Sequence, residues 1–154
     1  MPSLYLETTI PSYLGARPSR DLIVAAHQQI THEWWAQAKV KFDLYISQTV
    51  LDEIILGDEE AAARRLGFVQ NLPILPLTDN TESLAREYIT KLRLPQKASL
   101  DAVHLACAVE NELDYLLTWN CKHLAHDEII QRLQVVNLSL GLPTPIILTP
   151  EELL

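Results

Sequence analysis

SLYLETTIPSYL, residues 3–14, poses the question on which the fold turns. The apolar run Leu4-Tyr5-Leu6 stops at an acid, Glu7, and two threonines and a proline follow at once. An uninterrupted apolar run is the mark of a strand covered on both faces, whereas a half-exposed strand alternates. A carboxylate at the end of such a strand is costly to bury unless something meets it. The same punctuation recurs along the chain, where LYISQT, PLTDN and LLTWN each pass from apolar to polar residues.

Reading outward from this stretch, short strands alternate with helices. Strands are expected at 3–7, 42–47, 73–77, 114–118 and 144–149. Helices are expected at 20–38, 48–56, 58–71, 80–92, 99–112 and 126–140. The first helix places Ile23, Ala26, Ile30 and Trp34 on one apolar face. The helix at 80–92 takes Thr81 or Asn80 as its N-cap. This alternation predicts an α/β fold with a parallel sheet between helical layers. In such sheets, sites form beyond the carboxyl ends of the strands.

The bulk properties fit one compact domain spanning 1–154, with 48% apolar residues. No apolar run is long enough to span a bilayer, so no membrane association is expected. No secretory leader is visible and the two cysteines suggest no disulfide framework, so a cytoplasmic location is expected. The net charge of −8 argues against holding nucleic acid by bulk electrostatics. It leaves metal-dependent nucleases open, because they gather acids at the site and offset them with cations.

Four polar residues stand at strand ends or in the helices just beyond: Glu7, Glu53, Asp101 and Asn120. Asp101 opens a helix that is apolar nearly all round, so it is at least partly desolvated. Taken alone, it reads equally as a capping acid beside an N-cap at Ser99. Glu53 taken alone reads as a solvated helix acid. If the strand ends are neighbours, the four converge, and carboxylates so gathered repel one another. A hard divalent cation, Mg²⁺ or Mn²⁺, relieves that repulsion and suits oxygen ligands.

The segments YLETTIPSYL, ISQTVLDEI, SLDAVHLACA and DYLLTWNCKHL, in this order, resemble the PIN-domain ribonucleases, which include VapC-like toxins of toxin–antitoxin pairs. The resemblance implies a three-layer α/β/α domain with about five parallel strands. It also implies a Mg²⁺- or Mn²⁺-dependent endoribonuclease, an RNA substrate, a cognate antitoxin and a homodimer. Glu7 stands where the family has its first Asp, Glu53 at the helix Glu, Asp101 at the central Asp, and Asn120 where a fourth Asp is common. Thr8 and Thr118 fall at hydroxyl positions near the metal. Two departures follow: Glu7 is one methylene longer than Asp, and Asn120 removes one charge. Three acidic charges rather than four imply weaker metal binding, a second ion above all.

Other residues are read more plainly. His104 shares a helix face with Asp101 and is expected to be buried and bonded to backbone, with reach of the site edge as the alternative. Arg17, Arg20, Lys97, Lys122, His123 and His126 are candidates for RNA contact at the rim, with simple loop exposure as the alternative. Trp34 and Trp35 read as core or dimer packing, Trp119 is ambiguous, and Cys107 reads as a small core residue. Two rival functions remain: a PIN-fold RNA- or protein-binding module without catalysis, and an aspartate-based phosphatase. The phosphatase needs an Asp after the first strand, where this chain has Glu7-Thr8-Thr9.

Overall fold

The computed structural model describes residues 1–154. Five strands, β1 (Ser3–Leu6), β2 (Asp43–Ser47), β3 (Ile74–Leu75), β4 (Tyr115–Leu117) and β5 (Ile146–Leu148), form one parallel sheet in the order β3-β2-β1-β4-β5. Seven helices cover it: α1 (Thr9–Gly15), α2 (Leu22–Lys41), α3 (Gln48–Ile54), α4 (Glu59–Val69), α5 (Asp79–Lys91), α6 (Ser99–Glu110) and α7 (Asp127–Leu140). Short 3-10 turns occupy Gln96–Ala98 and Pro150–Leu153. The parallel α/β architecture read from the strand pattern is the one observed. No helix is long and apolar enough to cross a membrane.

β1 is the central strand. Leu4, Tyr5 and Leu6 are fully buried, as are Leu116 and Leu117 of β4 beside them. The register pairs Leu6 with Leu117 and Tyr5 with Tyr45, so the ends of β1, β2 and β4 open on one edge. The chain builds outward on one side through β2 and β3, then crosses to β4 and β5. The topological switch therefore lies between β1 and β4, where crevices form in open α/β sheets. Pro73 and Pro76, which have no N–H to donate to a ladder, bracket the two-residue outer strand β3.

Several local expectations change. Helix α1 has no counterpart among the expected helices. Pro11 falls in its first turn, where the missing N–H has no helical partner to lose. The buried face of α2 is Gln28, Thr31, Trp34 and Ala38, while Ile23 is 70% exposed and Ala26 lies in solvent. Tertiary partners explain this: Gln28 bonds Ser19 and Arg17, and Thr31 accepts from Trp119. The N-cap of α5 is Thr78, and Thr81 answers it as the third helical residue of a capping box. Ser99 is likewise not a cap; it is the first residue of α6, which the preceding 3-10 turn leads into through Ala98. Trp34 is buried core, and Trp35 packs at its edge against Phe68.

Two arginines of α4 tie the short helices down. Arg64 donates to the carbonyl of Gly15 at the end of α1, and Arg65 donates to those of Ile54 and Leu56 at the end of α3. Gly15 is required by this packing: a Cβ there would lie 2.9 Å from the Arg65 backbone nitrogen.

Leu116→Ala, which truncates a fully buried core side chain of β4, is expected to lower stability by about 2–5 kcal/mol in urea denaturation. Val135→Ala on the exposed side of α7 is expected to change it by less than about 0.5 kcal/mol.

Candidate active site

Glu7 follows β1 directly and is only 4% exposed. Its backbone N–H continues the ladder to the Leu117 carbonyl, so the side chain emerges at the switch point. Three donors meet one of its oxygens, Oε1: the Thr118 hydroxyl at 2.6 Å, the Thr9 hydroxyl at 2.5 Å and the Thr9 N–H at 3.1 Å. The Thr9 hydroxyl in turn accepts from the Trp119 N–H, and Thr118 accepts from the Asn120 N–H. One carboxylate oxygen thus stitches the end of β1, the start of α1 and the turn after β4.

Glu53 comes from α3, whose N-cap is the buried Ser47 at the end of β2. Its Oε1 receives the Thr8 hydroxyl at 2.6 Å and lies 2.6 Å from His104 Nε2 on α6. His104 is buried as expected, but its partners are side chains and not backbone. Its Nδ1 lies 2.5 Å from the Tyr5 hydroxyl, which also bonds Ser47. Burial alone would raise the Glu53 pKa, yet the His104 hydrogen bond and charge, with Thr8, hold it below the usual value. Burial alone would lower the His104 pKa, and the Glu53 bond with the charges of Glu7, Glu53 and Asp101 raises it.

Asp101 sits in the first turn of α6. Burial and the charge of Glu7 push its pKa up, against the opposing pull of His104, His123 and Asn120. His123 Nδ1 is 3.3 Å from Asp101 Oδ2, so this histidine is drawn in from the loop where exposure had been the alternative. Asn120 stands beside Asp101 and helps hold its pKa down. Its oxygen accepts the N–H groups of Lys122 and His123 instead of facing the acids.

The rim differs from the interior. Arg17, beyond the far end of α1, pairs with Glu60 at 3.5 Å. Lys97 and Lys122 are exposed, and neither side chain bonds an acid of the cleft. Trp119 is buried against the site, stacked on His27 with centroids 4.1 Å apart and donating to Thr31. A hollow of about 560 Å³ lies elsewhere, between α1, α2 and α4, and none of its walls is acidic.

Sequence reading assigned no role to the supporting residues Tyr5, Ser47 and Thr9. Tyr5 looked like one more apolar strand residue. Ser47 and Thr9 carried a signal only in their place, each at the junction of a strand end and a helix start.

As the side chains stand, no group of three or more His, Cys, Asp or Glu closes on one point at metal-binding spacing. The donor chemistry nonetheless fits a hard divalent cation. Glu7 Oε2 and Glu53 Oε2 take no hydrogen bond. Both still reach solvent, since Trp34 Nε1 is the one buried side-chain polar atom without a partner. Glu7 and Asp101 repel each other across the cleft, the condition that a cation between carboxylates relieves.

The family model described as the PIN domain matches residues 21–133. That span contains Glu53, Asp101 and Asn120; Glu7 precedes it. No curated protein sequence matches the chain. Among solved structures, VapC20 of Mycobacterium tuberculosis, a sarcin–ricin loop cleaving toxin, is 16% identical with a TM-score of 0.62. The match covers 78% of this chain and 92% of that one. VapBC2 of Rickettsia felis, bound to a DNA fragment from their promoter, contains a chain 18% identical with a TM-score of 0.60. The match covers 95% of this chain and 97% of that one. At these identities the likeness is one of fold.

The raised Asp101 pKa has a consequence for stability. Its ionised form is disfavoured in the folded state, so it costs stability above its folded pKa, and the cost disappears as pH falls below the ordinary value of 3.8. In chelator, Asp101→Asn is therefore expected to melt above the wild type at pH 7, the gap closing towards pH 4, as read by thermal denaturation across pH.

Proposed function

The chain belongs to the PIN-domain family, and on that premise we propose that it is a Mg²⁺- or Mn²⁺-dependent endoribonuclease, the toxin of a toxin–antitoxin pair. What supports the reading is that Glu7, Glu53 and Asp101, from three distant segments, all act on His104, while one oxygen each of Glu7 and Glu53 is left unbonded. The toxin and antitoxin parts rest on VapC20, which cleaves the sarcin–ricin loop, and on VapBC2, which binds promoter DNA. A homodimer and a cytoplasmic location belong to the same reading.

Glu7, Glu53 and Asp101 would hold the cation. The bound ion would supply positive charge against a phosphodiester and acidify water beside it. Thr9 and Thr118 fix Glu7, while Thr8 and His104 fix Glu53, so each presents its second oxygen to the cleft. Asn120 favours the charged form of Asp101 and organises the turn that bears Lys122 and His123. With its oxygen committed, it acts beside the metal ligands, and three carboxylates set the binding charge. Lys97, Lys122 and His123 are the rim groups placed to meet phosphates; Arg17, paired with Glu60, stands farther out.

One observation favours the alternative of a module that binds RNA or protein without turnover. The Asn120 oxygen is turned away from the acids, leaving no fourth oxygen ligand there. Calorimetry separates the two: no heat with millimolar Mn²⁺ favours the module.

Mn²⁺ at a hundred times its dissociation constant is expected to stabilise the wild type by about 2.7 kcal/mol, read as a rise in melting temperature. Asp101→Asn is expected to abolish that rise and to reduce RNA cleavage by roughly a hundredfold or more. Metal-dependent cleavage that survives the substitution would sink the assignment.

A further inference from the structure

Behind the acids runs a buried line of polar groups that the cleavage reading does not itself require. It starts at Ser47, the N-cap of α3, and passes through the Tyr5 hydroxyl at 2.7 Å to His104 Nδ1 at 2.5 Å. It leaves from His104 Nε2 to Glu53 Oε1 at 2.6 Å. Tyr5, Ser47 and His104 are all fully buried. The four residues come from β1, β2, α6 and α3, so the line ties together four of the elements around the cleft, leaving α1 and the turn after β4 to the Glu7 cluster.

We infer that His104 is a positioning residue: gripped by Tyr5 on one ring nitrogen, it aims Glu53 into the cleft with the other. This rests on the metal-nuclease reading, because Glu53 is aimed for a cation.

The directions of the hydrogen bonds are constrained. Glu53 is a carboxylate and can only accept, so His104 Nε2 must carry a proton. The Tyr5 hydroxyl can donate to a neutral Nδ1 or accept from a protonated one, so the bond to Glu53 survives in either charge state of the ring. Glu53 Oε1 thus holds two donors, Nε2–H and the Thr8 hydroxyl, while Oε2 has none. A glutamate on a helix ordinarily samples many rotamers, since three torsions separate its carboxylate from the backbone. Its side chain here is only 26% exposed and fastened at one oxygen, which leaves the other at a fixed place. A ring already bonded on both nitrogens and enclosed on all sides cannot turn without losing both bonds. Such outer partners fix the orientation of carboxylate ligands and typically matter 10–100-fold in metal affinity.

The test compares His104→Met, which fills the space without a donor, with His104→Gln, whose amide N–H reaches about as far as Nε2. Tyr5→Phe, which frees Nδ1 while keeping the ring, is the third variant should His104→Met not fold. In metal-free wild type, nitrogen NMR is expected to show Nε2 protonated. By calorimetry with Mn²⁺, His104→Met is expected to bind about 10–100-fold more weakly than wild type. His104→Gln is expected to recover most of that loss, and Tyr5→Phe to fall between. Wild-type affinity in His104→Met, an equal loss in His104→Gln, or an unprotonated Nε2 would each overturn the positioning role while leaving the nuclease reading standing. A wild type that binds no Mn²⁺ overturns both.

Discussion

A carboxylate at the end of a strand buried on both faces needs donors, and the arrangement around Glu7 supplies them from two directions. The Thr9 hydroxyl and amide come from the start of α1, and the Thr118 hydroxyl comes from the end of β4. A buried carboxylate without such partners would be several kcal/mol less stable, by the usual cost of unpaired polar burial. The placement of α1 against the sheet, the turn at 118–120 and the stacking of Trp119 on His27 all follow from meeting that requirement. The second oxygen of Glu7 is left over because the donors all converge on the first.

The same economy of partners repeats at Glu53 and stops short at Asp101. Glu53 is held by Thr8 and by a histidine embedded in the core. Asp101 gains His123 and Asn120 but remains disfavoured by burial and by Glu7. An uncompensated charge of this kind is a cost to the fold, and such costs concentrate where function needs them. The conflict therefore marks Asp101 as the residue for which the surrounding scaffold offers the least and an added cation would offer the most.

The sheet was legible in the sequence because its strands are continuous apolar runs that break at polar residues, and the helices between them carry clear boundaries. The acids were legible for the same reason: Glu7 and Asn120 interrupt a pattern. Helix α1 was not, since Pro11 and Gly15 carry the composition of a loop and the helix is held from outside by Arg64. The buried face of α2 was misread because Gln28 and Thr31 are polar residues satisfied by distant partners, which periodicity cannot register. The line from Ser47 to His104 joins residues 42 and 99 positions apart from Tyr5, and nothing local in Tyr5 distinguishes it from Leu4 or Leu6. The turning of the Asn120 oxygen towards the following amides is equally a property of the folded turn.

The position of β1 at the middle of the sheet bears on how the protein comes into being. β1 pairs with β2, which lies 40 positions on, and with β4, which lies 111 positions on. Pairings across such separations are slow to form, because loop-closure entropy is lost before contacts reward it. Until β4 is in place, Glu7 lacks Thr118. The Thr118 side of the Glu7 cluster therefore forms only when the most distant pairing of β1 does.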